Sequence, residues 1–201
     1  MNRYNFIDTV KKEESKTIYL FTDGSCAPTN PGPGGFGIYC CDEFSNKVFA
    51  ISSYVGNLVT NNQMEYLALL MGVRSLRSKA IHGKYKGAHF FTDSRILVIT
   101  LKNWKKDPMG NNPVLTQLRS MIIEEMEKSP IPIDVQWINR EQNEKADILS
   151  KAGSAGNTTI DGINLSPEAF EKSAFDHLLK AMTQANKFKK QAQAMDDDIW
   201  F

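Results

Sequence analysis

The chain has 201 residues, which at roughly 100 to 200 residues per domain leaves room for one good-sized domain and an appendage. Lys+Arg 24 against Asp+Glu 23, with 41% hydrophobic and 10% aromatic residues, excludes a wholly disordered chain and an indiscriminate polycation. Any nucleic-acid binding must therefore come from local patches. No apolar run approaches the 18 or so residues of a membrane span, and the first dozen residues lack the apolar stretch of a signal peptide. Three cysteines, two of them the adjacent Cys40 and Cys41, form neither a disulfide framework nor a zinc pattern. A cytoplasmic protein with reduced cysteines and no membrane partner is expected.

Residues 1–16 are polar and irregular. Over 17–22, Ile18 and Leu20 alternate with Tyr19 and Phe21 in the period of a strand. The Pro/Gly cluster 28–35 reads as a loop, and 36–41 and 47–54 read as strands joined by a turn at 42–46. From 61 to 79 the pattern turns helical, with Ala68, Leu69, Val73, Leu76 and Ala80 as one stripe. A short buried strand follows at 89–92. Helices are predicted at 96–104, 113–128 and 141–152, with a strand at 131–138. The order βββαβααβα suggests a mixed sheet covered by helices, an α/β fold.

After 153 the texture becomes small and polar, so 153–165 reads as a linker. Ser166, Pro167 and Glu168 then open a helix with a cap, a proline in its first turn and an early acid. Phe170, Ala174, Leu178 and Met182 give this helix, 166–194, one apolar stripe. The chain closes on an acidic and aromatic tip, 195–201.

Two predicted strands end alike, Phe21-Thr22-Asp23 and Phe91-Thr92-Asp93. Open sheets place ligands at such carboxyl ends, and two neighbouring parallel strands would hold the aspartates side by side. Taken singly, either aspartate reads more readily as a turn former or helix cap, and it is the repeated ending that argues otherwise. Glu65 begins the stripe that should face the sheet, where a carboxylate is costly unless paired or metal-bound; an acid in a helix's first turn is its plainer reading. Asp147 lies four residues before Lys151 on a predicted helix, so an exposed ion pair would also explain it. Four convergent carboxylates supply the hard oxygens that Mg²⁺ requires, and two such ions can drive phosphodiester hydrolysis.

Thr22 to Cys26 with Asn30 to Gly35, then Thr60 to Glu65, Thr92 to Ser94 and Asn143 to Asp147 together resemble type 1 ribonuclease H over about residues 17–152. The resemblance implies a five-stranded mixed sheet of order 3-2-1-4-5 covered by helices; beside it the C-terminal helical appendage read above and a monomer are expected. It implies that Asp23, Glu65, Asp93 and Asp147 are the catalytic and metal-binding carboxylates, holding two Mg²⁺ ions or Mn²⁺ in their place. The reaction implied is endonucleolytic cleavage of the RNA strand of an RNA–DNA hybrid, as in primer or R-loop removal. Asn30, Asn62 and Gln63 are expected along the hybrid's minor groove, where 2′-hydroxyls are read. Thr60 corresponds to a residue that holds a DNA-strand phosphate, and Asn61 reads either as a substrate contact or as cap chemistry. Lys102, Trp104, Lys105 and Lys106 resemble the start of a basic protrusion that grips the DNA strand.

The loop 137–142 lacks the histidine that longer-loop members carry, as in the plant- and archaeal-like branch, which leaves Arg140 or Glu141 to stand in. Arg95 occupies a position where bacterial members often have glutamine. An adaptor that kept the fold without catalysis, or an integrase-like nuclease, are the competing readings; the four carboxylates and the Gly-rich loop favour the ribonuclease. The tip Asp196, Asp197, Asp198, Ile199, Trp200, Phe201 resembles the acidic end of bacterial single-stranded DNA-binding proteins, which implies docking to replication or repair proteins.

Overall fold

Strands β1 (Thr17–Cys26), β2 (Gly32–Asp42) and β3 (Lys47–Val59) form an antiparallel meander, and β4 (Gly87–Thr92) and β5 (Ile133–Trp137) extend the other edge of β1 in parallel. The turn between β2 and β3 closes where expected, because the Asp42 carboxylate accepts from the backbone N–H groups of Phe44 and Asn46. The computed structural model describes residues 16–106, 112–162 and 180–187. The extension before residue 16, most of the expected 166–194 helix and the 195–201 tip lie outside the described residues.

The helices are α1 (Asn61–Ser75), α2 (Lys79–His82), α3 (Arg95–Lys102), α4 (Pro113–Glu127) and α5 (Glu144–Ser154), the last preceded by a 3-10 turn at Arg140–Gln142. Thr60 and Gln63 cap α1 reciprocally, each satisfying one of its orphan N–H groups. Asn112 caps α4, with Pro113 in the first turn. The core lies between the sheet and α1, where Ile18, Leu20, Ile38, Phe49 and Phe90 meet Met64, Leu69 and Leu76, all fully buried. Removing a large side chain such as Phe90 from such a core typically costs about 3–5 kcal/mol.

Three corrections follow. The sheet has six strands, in the order β5-β4-β1-β2-β3-β6, because β6 (Thr159–Gly162) pairs antiparallel with β3 inside the stretch read as a linker. Its single apolar residue, Ile160, is exposed, so no burial pattern marks it. Second, α1 is not one stripe. It is buried on nearly every side, since α4 and α3 pack on it opposite the sheet, and the chain turns at 76–78 and leaves Ala80 exposed in α2. Third, β4 is buried on one face only: Ala88, Phe90 and Thr92 are inside, while His89 and Phe91 are half-buried.

α5 crosses β1, β2 and β3 on the face opposite Phe36 and Ile38. Its approach is so close that a Cβ on Gly37 would lie 2.4 Å from the Ala146 carbonyl oxygen, which is why this strand position needs glycine. Cys40 points into the core and Cys41 to the other face, and both thiols are free. Residues 180–187 are helical, and Met182 joins the core at 0% exposure. Among the described residues no helix is long and apolar enough to cross a membrane.

Candidate active site

The parallel ladder between β1 and β4 sets Thr22 opposite Thr92, both fully buried. The next residues, Asp23 and Asp93, therefore leave adjacent strands together. Glu65 is delivered by the first turns of α1, which sit on the end of β1. A Cβ on Gly24 would come within 2.2 Å of the Glu65 nitrogen, so any side chain there would push the helix and its carboxylate away from the sheet. Oxygens of Asp23, Glu65 and Asp93 all lie within 4.8 Å of one another.

The electrostatics of this cluster are unfavourable without a cation. Burial raises the Asp23 carboxyl from 3.8 to about 6, aided by the charges of Asp93 and Asp147 and opposed by a hydrogen bond from Ser150. Burial first, then the charges of Asp23 and Asp93, pushes Glu65 well above the usual carboxylate range. Glu65 Oε2 is sealed from solvent with no hydrogen-bond partner among the described residues. These hard oxygen donors can hold a metal ion, and bringing one in would relieve both the repulsion and the orphaned oxygen.

Asp147 is not brought into the three-carboxylate cluster. It stands in the first turn of α5 with Oδ1 3.0 Å from Arg140 Nη2 and Oδ2 2.6 Å from Lys151 Nζ, so the ion pair with Lys151 expected as its plainer reading does form. Its backbone is nonetheless tied to the site. Ser150 Oγ donates to Asp23 Oδ2 and lies 2.9 Å from the Asp147 carbonyl oxygen.

Two supporting residues have roles that sequence reasoning did not assign. Asn143, 1% exposed, donates from Nδ2 to the Thr22 carbonyl and to Asp93 Oδ1, each at 3.0 Å. Ser150, fully buried, anchors Asp23. Asn143 opens a motif quoted above, but its role shows only in space, with partners at Thr22 of β1 and at Asp93 just after β4, and the Asp23 partner of Ser150 is 127 residues away.

The expected substrate contacts divide. Asn30, Asn61 and Asn62 are exposed, Thr60 is half-buried, and the Asn61 N–H donates to Asn30 Oδ1 at 3.2 Å, joining the Gly-rich loop to the start of α1. Gln63, expected in the groove, is 2% exposed. Its side-chain oxygen accepts from the Thr60 N–H at 2.9 Å and from Asn186 at 3.0 Å, so the capping role has taken it out of reach of solvent. Helix α3 stops at Lys102, short of the predicted 104; Lys102, Lys105 and Lys106 are exposed and Lys105 lies 5.7 Å over the Trp104 ring. Of the histidines, His89 pairs with Asp134 on the strands and His82 ends α2, both apart from the carboxylates, and His177 lies outside the described residues.

The RNase H family model matches residues 15–155. A ribonuclease H of Syntrophus aciditrophicus is 30% identical over 154 residues, 71% of this chain and 83% of that one. A ribonuclease HI of Pasteurella multocida is 29% identical over 165 residues, covering 76% and 99%. Among solved structures, LC11-RNase H1 in complex with an RNA/DNA hybrid is 28% identical with a TM-score of 0.59, covering 70% of this chain and 96% of that one. RNase H1 of the archaeon Halobacterium salinarum shares the fold at 24% identity and TM-score 0.59, over 70% and 99%. With the three carboxylates where its sheet converges, the chain belongs to the RNase H family of ribonucleases.

Proposed function

We propose that the chain cleaves the RNA strand of RNA–DNA hybrids endonucleolytically, in the manner needed to remove RNA primers or R-loops. The observation that carries this reading is the convergence of Asp23, Glu65 and Asp93 at the ends of paired strands. The hybrid bound to LC11-RNase H1 supports the substrate class. Mg²⁺ suits the donor set, since every available ligand atom is a carboxylate oxygen. Two bound ions would supply an activated water and neutralise charge at the leaving oxygen.

The chain's own residues do the positioning. Ser150 holds Asp23 by hydrogen bonding, and Asn143 fixes the Asp93 carboxylate relative to β1. Asp147 completes the acidic set by turning from Arg140 and Lys151, whose long exposed side chains make this exchange easy. Arg140 and Lys151, released, are then cations available to a substrate phosphate. Asn30, Asn61 and Asn62 read the minor groove, where only the RNA strand presents 2′-hydroxyls, and Thr60 takes a DNA-strand phosphate. Lys102, Lys105 and Lys106 beside Trp104 grip the DNA strand through charge and stacking. Cleavage of an end-labelled hybrid, with Mg²⁺ and with a chelator in its place, tests the reading: internal cuts in the RNA strand only when the ion is present are expected.

The tip Asp196 to Phe201 is proposed as a contact for replication or repair proteins, supported by its pairing of acidic charge with large apolar side chains. Binding to a protein that captures the single-stranded DNA-binding-protein tip should be lost on changing Trp200→Ala and Phe201→Ala together; retained binding would refute it.

A further inference from the structure

Helical residues 180–187 lie beyond the family match, which ends at 155, yet two of them, Met182 and Asn186, are buried against the domain. Met182 has no exposed surface and Asn186 is 4% exposed. Asn186 Nδ2 donates to the Leu58 carbonyl oxygen and to Gln63 Oε1, each at 3.0 Å. Leu58 is the penultimate residue of β3 and Gln63 lies in the first turn of α1. A single amide group thus spans the junction where strand becomes helix. The chemistry is specific: two acceptors face one NH₂, so a carboxylate would be repelled and an alkyl group would leave both acceptors without that donor.

That junction carries Thr60, Asn61 and Asn62. It is already tied to the Gly-rich loop, since the Asn61 N–H donates to Asn30 Oδ1, and the oxygen of Gln63 that Asn186 engages also accepts from the Thr60 N–H. We infer that Asn186 is a positioning residue for hybrid binding, locking the β3–α1 junction so that Thr60, Asn61 and Asn62 meet the substrate in one fixed arrangement. Residues 180–187 are then a working part of the substrate-reading face. This rests on the reading of residues 60–62 as hybrid contacts. Glu65, two residues beyond Gln63, is set by the close packing of the α1 backbone on Gly24 of β1, a contact Asn186 does not share, so the effect falls on substrate binding before the chemical step.

The test is steady-state kinetics on a hybrid with the full chain. Asn186→Ala should raise KM by roughly fivefold, the worth of about one neutral hydrogen bond, with kcat changed by less than about twofold. Asn186→Leu, which keeps the γ-branched shape without leaving a cavity, should do the same and guards against loss of fold in the smaller variant. Asn186→Asp should be at least as damaging as Asn186→Ala. In a double-mutant cycle, Gln63→Ala and Asn186→Ala should multiply to less than the product of their separate effects on KM. A merely structural role would reduce the active fraction, lowering kcat with KM unaltered, and that result in the folded Asn186→Leu variant would overturn the inference, as would independent effects in the cycle. A wild-type chain inactive on hybrid would refute the proposed substrate; an active wild type with unaltered KM in the variants would refute only the positioning role.

Discussion

Asn143 holds Asp93: one amide nitrogen lies 3.0 Å from Asp93 Oδ1 and 3.0 Å from the Thr22 carbonyl oxygen, linking the start of α5 to β1 and to the aspartate that follows β4. Asn143→Ala removes the donor from a half-buried carboxylate and a buried carbonyl. It should lower stability by about 1–3 kcal/mol and kcat by roughly tenfold, the order expected when a reacting group loses its orientation. Urea unfolding and steady-state kinetics measure the two effects; an unchanged kcat in a destabilised variant would leave Asn143 a purely structural residue.

The raised Asp23 carboxyl makes the stability of the metal-free protein depend on pH. Its value is about 6 in the fold against 3.8 for the free group, so between those values the folded state binds more protons than the unfolded state and stability falls as pH rises. The cost is in full force above about 6 and amounts to something on the order of 2–3 kcal/mol. Asp23→Asn should therefore melt higher than the wild type at pH 7.5 without metal, with the difference gone near pH 4. Equal melting temperatures at pH 7.5 would contradict the electrostatic account of the site.

Protons compete with the cation for the same oxygens. Mg²⁺ affinity, read by isothermal titration, should weaken progressively as pH falls below about 6, where Asp23 protonates, and Glu65, also displaced upward, should reinforce the trend. Affinity independent of pH between 5 and 8 would show that these two residues do not hold the ion.

The site was legible in the sequence where its logic is periodic. Twin endings at Thr22-Asp23 and Thr92-Asp93 follow from two parallel strands in register, and Glu65 was found from helical spacing. The resemblance, and not periodicity, supplied Asp147, whose local pattern fits the ion pair with Lys151 equally well. Long-range polar partnerships stayed hidden. Gln63 looks like a solvent-facing helix residue until Asn186, 123 positions later, is seen to cover it. The strand β6 escaped for the opposite reason: four exposed residues carry almost no burial signal, and edge pairing is decided by the neighbour β3.

His82 and His89 stand apart from the carboxylates, one at the end of α2 and the other paired with Asp134 on the sheet. Replacing either with alanine should leave kcat on hybrid within about twofold, in the range of surface changes that touch no named mechanism. A hundredfold loss in a folded variant would place an imidazole in the reaction.

The most direct measurement is Mg²⁺-dependent cleavage by the wild type and by Asp93→Asn, on an RNA–DNA hybrid beside duplex RNA, duplex DNA and single-stranded RNA. Internal cleavage confined to the RNA strand of the hybrid, abolished in Asp93→Asn while its circular dichroism spectrum stays that of the wild type, is the result predicted. Near wild-type turnover by Asp93→Asn, or equal cleavage of duplex DNA, would contradict the assignment of the carboxylate cluster as the hybrid-cleaving centre.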